Sequence, residues 1–165
     1  KGFTLVELMI TLIVLGVLSA IAYPSFTGTI RNNRLATSGN EVLTLLSLAR
    51  TEGIRSNNGG GVCGSLDGTA CDGDWSDGVM AFADADGDGE FSSDETVLRF
   101  AQGNPALTIG NPDPAVVAFD GRGRRRAPAN QSILLSPSEC KEGEATRTMV
   151  VTLSGQVRSE RGTCE

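Results

Sequence analysis

Four groups of side chains in this sequence have the types and spacing that binding or covalent chemistry requires. They are an isolated carboxylate in an apolar run, four cysteines, an acidic stretch and a run of arginines, namely Glu7, Cys63, Cys71, Cys140, Cys164, residues 84–95 and residues 122–126. Histidine is absent, which removes the commonest general base and the commonest metal ligand. The sequence also lacks a nucleophile elbow, a phosphate-binding loop and a dinucleotide fingerprint. We therefore expect a binding or structural protein and not an enzyme.

Glu7 is the only charged residue in the apolar run Phe3–Tyr23, which is 21 residues long. At 1.5 Å per residue, a helix of this length crosses a hydrocarbon core of about 30 Å. A carboxylate inside such a segment costs about 2.5–3.5 kcal/mol, so Glu7 is a candidate functional residue. A secretory signal peptide would have a shorter apolar core and a cleavage site after it, and an ordinary membrane anchor would not need the carboxylate.

The residues around Glu7 resemble the processing site of type IV pilins. Residues 2–7 read Gly-Phe-Thr-Leu-Val-Glu and match the family's glycine followed by Phe-Thr-Leu-x-Glu. The resemblance implies that a prepilin peptidase cuts between Gly2 and Phe3 and methylates the new amine of Phe3. It also implies that Glu7 accepts a charge-assisted bond from Phe3 of a neighbouring subunit, since a buried charge persists only with a partner. Residues 1–2 are then the end of a leader peptide.

The first third of the sequence predicts one long helix with two different halves. Residues 3–26 are the half for the membrane or the filament core, and Pro24 is expected to kink it because proline removes a backbone hydrogen bond. Residues 27–56 place apolar side chains at near-helical spacing with charged residues between them, which predicts an amphipathic helix. The run at 57–61, Asn-Asn-Gly-Gly-Gly, is expected to end the helix.

Residues 57–165 predict a head of short strands separated by polar turns. We expect strands at 61–63, 78–83, 96–100, 106–109, 115–120, 132–136 and 148–153, followed by a turn at 154–155 and a return strand at 156–158. A long helix followed by strands indicates an α+β fold.

The head and the end of the helix are similar to the GspH/FimT family of minor pilins and pseudopilins. Residues 48–54 look like the family's helix-end signature, and residues 63–71 look like its Cys-x-Ser-x-Asp-Gly-x-x-Cys loop. The resemblance continues in order through 75–78, Phe82 with Asp84, 97–99 and 119–123. It implies the type IV pilin fold, in which a long N-terminal helix packs against a β-rich head of antiparallel strands.

The four cysteines allow three disulfide pairings. Their spacing does not resemble the Cys-x-x-Cys arrangement of metal sites, and an exported head favours disulfides. Cys63–Cys71 with Cys140–Cys164 is the favoured pairing because each bond closes a local loop. The alternative is a cytosolic protein with four buried free thiols.

The stretch 84–95 fits the calcium-loop template Asp-x-Asp-x-Asp-Gly-x5-Glu at every required position. The template takes four side-chain carboxylates and one backbone carbonyl, here from Asp84, Asp86, Asp88 and Glu95, and from Glu90. Six acidic residues in these twelve positions repel one another unless a cation neutralises them. The flanking segments read as strands, however, so a solvated turn without Ca²⁺ is the alternative.

The second candidate site in the head is basic. The net charge of the chain is −6, and four of its arginines nevertheless lie within residues 122–126. Arginines can bind nucleic-acid phosphates without regard to sequence, which makes DNA a candidate ligand of Arg122, Arg124, Arg125, Arg126 and Arg158. Some FimT-type pilins bind DNA through a Gly-Arg-x-Arg motif. The matching residues 155–158 read Gly-Gln-Val-Arg and lack its first arginine. A solvated turn that pairs with acidic loops is the alternative.

Taken with the resemblance, these features predict a minor pilin of a type IV pilus that helps to initiate assembly near the tip. The alternatives are a type II secretion pseudopilin and a minor pilin that captures DNA for uptake. The expected partners are other major and minor pilins or pseudopilins, the prepilin peptidase, the inner membrane before assembly and, under the arginine hypothesis, DNA. The expected location is the inner membrane, with one membrane span and a periplasmic head, and afterwards the filament.

Overall fold

The computed structural model describes residues 2–165, apart from the side chains of residues 21–25. The leader assignment of Lys1 and the kink expected at Pro24 lie outside these described residues. The described part contains α1 (Leu5–Ser56), β1 (Gly59–Gly64), β2 (Gly78–Asp84), β3 (Thr96–Gln102), β4 (Leu107–Ile109), β5 (Val117–Asp120), β6 (Gln131–Pro137), β7 (Ala145–Val151) and β8 (Val157–Thr163). The chain divides into two compact units, residues 1–34 and residues 35–165, and each is described by itself.

Local chemistry fixes both ends of α1. The hydroxyl of Thr4 accepts a hydrogen bond from the backbone N–H of Glu7 at 3.2 Å, as an N-cap threonine does. At the other end, Asn57 takes a left-handed conformation with φ of 60°, and Arg55 is a basic residue in the last turn. Asparagine tolerates this conformation and a cation complements the helix dipole, so both residues favour a stop at Ser56.

The α1 residues of the head unit bury one apolar stripe. Leu35, Val42, Leu45, Leu46 and Ala49 are each at most 3% exposed and belong to the main core. Their spacing of three, four and seven residues is that of one helix face. Both sheets contribute to the same core, through Phe119, Ile133, Leu135 and Met149, and Trp75 joins it from the segment between β1 and β2.

Two antiparallel sheets of four strands form the rest of the head unit. Their strand orders are β3-β2-β1-β5 and β4-β6-β7-β8. The first sheet also covers a smaller apolar cluster, which contains Cys63, Met80 and Phe82. The α+β prediction and the expected head of antiparallel strands are therefore confirmed.

Every predicted strand is present, but some boundaries were wrong. The expected start of β1 at Gly61 moves to Gly59, so the glycine run does more than end the helix. A Cβ atom on Gly60 would lie 2.2 Å from the backbone carbonyl oxygen of Ala49, and one on Gly61 would lie 2.2 Å from the ring of Phe82. Glycine is required here because β1 passes against the backbone of α1 on one face and an aromatic ring on the other.

Candidate functional site

The segment that carries the predicted processing site lies in the first unit. Phe3 precedes α1 and is 86% exposed, and Gly2 is exposed beside it. Glu7 lies in the first turn of α1, and its side chain is exposed. Sequence reasoning assigned no role to Thr4, although a threonine three residues before a glutamate is a recognised signal for a helix N-terminus.

The apolar side chains around Glu7 on α1 are exposed, because none of the described residues covers them. Twelve large apolar side chains between Phe3 and Leu18 are more than half exposed. Among the residues with described side chains, no helix has the length and apolar character needed to cross a membrane. The expected single membrane span at residues 3–26 is therefore not confirmed.

The acidic stretch begins at a buried carboxylate. Asp84 is the last residue of β2 and is fully buried. Its two oxygens accept hydrogen bonds from the backbone N–H groups of Gly87 at 2.7 Å and Gly89 at 3.0 Å. Burial is the largest influence and raises the pKa of Asp84, although those N–H groups and the nearby Arg126 guanidinium favour the ionised form. Asp84 thus organises the turn that follows β2.

The structure brings three of the five predicted calcium ligands together. Carboxylate oxygens of Asp84, Asp86 and Asp88 all lie within 4.8 Å of one another. Oxygens that share one Ca²⁺ at about 2.3–2.6 Å lie about 5 Å apart or less, so this spacing suits a calcium ion. Glu90 donates its backbone N–H to Asp88 at 2.7 Å.

Glu95, the fourth expected carboxylate ligand, is used differently. One of its oxygens accepts the N–H of Ala85 at 2.6 Å and the other accepts the N–H of Ser92 at 3.1 Å. Both oxygens therefore close the loop onto itself, and Glu95 is not part of the group of three. The template describes residue types and spacing, but it does not anticipate that backbone N–H groups compete for the carboxylates.

The arginine run does not form one exposed basic strip. Arg124 pairs with Asp120 at 3.0 Å, and Arg126 lies 3.9 Å from the buried carboxylate of Asp84. Arg122 is exposed, and its backbone N–H donates to Asp120 at 2.9 Å. Two of the arginines proposed to bind phosphate thus already have carboxylate partners, which is the arrangement of the alternative hypothesis.

Arg125 is unsuited to a surface ligand because it is only 7% exposed. One terminal nitrogen donates to the carbonyl of Ala129, and Nε has no partner among the described residues. Burial lowers the pKa of the guanidinium. Arg158 is exposed on β8, opposite Val150 of β7. Among the described residues, Arg122 and Arg158 are therefore the exposed arginines of this set without a carboxylate partner, whereas the exposed Arg124 and Arg126 each have one.

Asp120 holds the turn that contains the arginine run. One oxygen accepts the N–H groups of Arg122 and Arg124, and the other accepts the Arg124 guanidinium. Burial of the carboxyl opposes ionisation, but these donors outweigh it, and the pKa of Asp120 is lowered. Gly123 has a φ of 71°, which glycine adopts without strain, so the chain turns tightly around the carboxylate.

All four cysteines form disulfides in the favoured local pairing. Cys63 of β1 bonds to Cys71, eight residues later, and Cys140 bonds to Cys164, 24 residues later. The second bond encloses the β7–β8 hairpin. Disulfides of this kind persist in oxidising compartments, which fits an exported head.

Arg50 is a positioning residue that sequence reasoning missed. It lies on α1, where its Nε donates to the carbonyl of Gly123 at 2.8 Å and a terminal nitrogen donates to the carbonyl of Ser154 at 3.4 Å. One guanidinium thus holds the turn after β5 and the turn between β7 and β8 against the helix. The signal in the sequence was its position directly after Ala49, a residue of the apolar stripe.

Comparison with known proteins identifies the family. Residues 38–156 match the family described as type II transport protein GspH, and residues 1–23 match the prokaryotic N-terminal methylation motif. The pilin-like protein PilA1 of Thermus thermophilus is 29% identical over 169 residues, which span 97% of this chain and 98% of that protein.

Two solved structures share the fold at low sequence identity. The type IV minor pilin FimU of Pseudomonas aeruginosa superposes with a TM-score of 0.59 at 16% identity, over 81% of this chain and 97% of FimU. The minor pseudopilin EpsH from the type 2 secretion system of Vibrio cholerae gives 0.52 at 14% identity, over 76% of this chain and 95% of EpsH. Since the GspH match alone covers well over half of the sequence, the chain belongs to the GspH family of pilin-like proteins.

Proposed function

We propose that this chain is a structural, non-enzymatic minor subunit of a type IV pilus, which helps to initiate assembly near the tip. The observation that carries the proposal is an N-terminal methylation motif at residues 1–23 joined to a GspH head at residues 38–156. The peptidase cuts between Gly2 and Phe3, and Phe3 becomes the methylated N-terminus. Before assembly, the subunit lies in the inner membrane with its head in the periplasm, where the two disulfides are stable.

The exposed apolar side chains of α1 support assembly through the helix. Side chains from Phe3 to Leu18 gain about 25 cal/mol per Å² when lipid or neighbouring helices cover them. Covering them also removes Glu7 from water, and a carboxylate in that environment needs a cationic partner. The freed amine of Phe3 on a neighbouring subunit supplies it, so that each subunit docks at the height where amine and carboxylate meet.

The test compares two glutamates on the same helix. Glu7→Gln is expected to reduce the amount of the chain in sheared filaments at least tenfold, because breaking a buried ion pair costs about 3–5 kcal/mol. Glu41→Gln, a half-exposed position in the head unit, is the matched control and should leave incorporation unchanged. Immunoblots of membrane and filament fractions give the readout, and mass spectrometry of the N-terminus reports cleavage and methylation separately. Normal incorporation of Glu7→Gln would contradict the proposed role.

A type II secretion pseudopilin is the second candidate, and the match of residues 38–156 to the family described as type II transport protein GspH supports it. The same helix chemistry serves both machines, so the assembly test above does not separate them. Deleting the gene does: a pilus subunit affects surface filaments with secretion intact, whereas a pseudopilin affects secretion of folded enzymes with filaments intact.

A further inference from the structure

Three of the four edge strands in the head unit have a structural feature that prevents pairing with another chain. β4 has three residues, and the N–H and carbonyl of Ile109 both bond to the hydroxyl of Ser76. β5 has four residues, and residues 124–126 pair along its outer side. β8 presents a run of charges at Arg158, Glu160 and Arg161. Shortness, coverage and charge are the recognised protections of sheet edges.

The fourth edge strand, β3, is neither short nor covered. It has seven residues, Thr-Val-Leu-Arg-Phe-Ala-Gln, and one charge. Its pairing with β2 has one β-bulge, at Leu98, and residues 99–102 pair with β2 in regular register. Its ladder of hydrogen bonds runs to β2, and no further backbone hydrogen bond of β3 exists within the described part of the chain. Alternate N–H and carbonyl groups along its outer side are therefore free to pair with an incoming strand.

Side chains on both faces of β3 add to this edge. Val97 and Phe100 pack against the small cluster beneath the first sheet, and Leu98 and Ala101 pack against the main core. All four are half-buried, so an added strand would cover the apolar surface that remains exposed. Arg99, at the centre of the strand, is exposed and forms no ion pair with the described residues.

We propose that β3 binds an extended segment of a different filament subunit by strand addition, with a carboxylate of that segment opposite Arg99. The inference rests on the proposed function, because it takes the partner to be a filament subunit. A second copy of this chain is disfavoured, since antiparallel pairing centred on the strand would place Arg99 opposite Arg99. Main-chain bonds supply most of the affinity, and the Arg99 contact selects an acidic segment.

The experiment uses photo-crosslinking of the full-length chain in cells that assemble filaments. Benzoylphenylalanine replaces Gln102 in β3, and the matched control replaces Ser159 in β8, which is also exposed on an edge strand. We expect the Gln102 probe to crosslink at least about fivefold more than the Ser159 probe, because β8 carries three charges along its edge and β3 carries only Arg99. Peptide mapping should place the crosslink in an extended segment of another subunit, within a few residues of an aspartate or glutamate.

Charge variants then test the chemistry of the contact. Arg99→Glu should reduce the crosslink about tenfold and Arg99→Lys should restore most of it, since opposite charges across strands attract and like charges repel. Arg161→Glu, an exposed charge change on β8, controls for the change in net charge. If Arg99→Glu fails to fold, Arg99→Gln replaces it and should still weaken the crosslink.

Three results would overturn the inference: equal crosslinking from both probes, crosslinks exclusively to a second copy, or no effect of the Arg99 variants. The filament fraction of the unmodified chain is measured in parallel. If the chain never enters filaments, the proposed function is wrong; if it enters them without a β3 crosslink, only this inference is wrong.

Discussion

Replacing Gly60 with alanine should destabilise the head severely, because β1 lies against the backbone of α1. The new Cβ would stand 2.2 Å from the carbonyl oxygen of Ala49, whereas ordinary contacts begin at 3.4 Å. The clash involves main-chain atoms of a helix and a strand, so relief requires moving one element by about 1 Å. Overpacking of a core typically costs about 1–3 kcal/mol, and this rigid contact places Gly60→Ala at the upper end.

Gly110→Ala is the matched control for that prediction. Its Cβ would meet the carbonyl oxygen of Leu134 at 3.6 Å, an ordinary contact. Where the backbone permits it, Gly→Ala stabilises by about 0.4–1 kcal/mol through the unfolded state, so the two variants should differ in sign. The buried Trp75 is the one tryptophan of the chain, and its fluorescence reports urea unfolding of the detergent-solubilised protein.

A loss of about 3 kcal/mol corresponds to a fall of about 6–12 °C in Tm for a protein of this size. Correct insertion in the membrane fraction shows that the variant is still made and exported. If Gly60→Ala unfolded within about 0.5 kcal/mol of Gly110→Ala, the close approach of β1 to α1 would be wrong.

Three further predictions concern the charged loops. Ca²⁺ should raise Tm and a chelator should reverse the change, with both effects lost in Asp86→Asn with Asp88→Asn; an equal response of that variant would rule out the acidic loop. Under the DNA hypothesis, duplex DNA should be retarded at low salt and released as salt rises, and Arg122→Ala with Arg158→Ala should abolish the retardation, since these two exposed arginines have no carboxylate partner among the described residues; no retardation by the unmodified protein would end the DNA hypothesis. Because the pKa of Asp120 is lowered in the fold, its stabilisation is present above the unfolded value of about 3.9 and is lost as pH falls below it. The difference in unfolding free energy between the unmodified chain and Asp120→Asn should therefore shrink as the pH falls below about 4, and a constant difference there would contradict the ionic role.

Periodicity and local spacing predicted much of the fold. The apolar stripe of α1 recurs at helical spacing, and a short apolar run between polar residues identifies strands such as β6, which buries Ile133 and Leu135 and exposes Leu134. The extension of β7 back to Ala145 was missed because polar residues precede its apolar centre. The glycines at 59–61 indicated only the end of the helix. Glycine has no side chain, so this part of β1 shows no alternation of apolar and polar side chains that would predict a strand.

The candidate sites were less predictable because they depend on contacts between distant residues. Asp84 and Arg126 are 42 positions apart in the sequence and meet at 3.9 Å, and no local pattern pairs them. The burial of Arg125 also cannot be predicted from the sequence, because nothing in residue type distinguishes it from the three arginines beside it. The local pairing of Cys63 with Cys71 was accessible because both cysteines flank one short loop.

The Cys140–Cys164 bond has a mechanical consequence for a head exposed to shear. It turns the β7–β8 hairpin into a closed ring of covalent bonds, so traction on the backbone at Cys140 passes directly to Cys164. Without the bond, unfolding of this 24-residue segment would add about 80 Å of extended chain between the two cysteines. With the bond intact, this length is not released. A reducing agent should therefore lengthen the contour released in single-molecule stretching by about this amount.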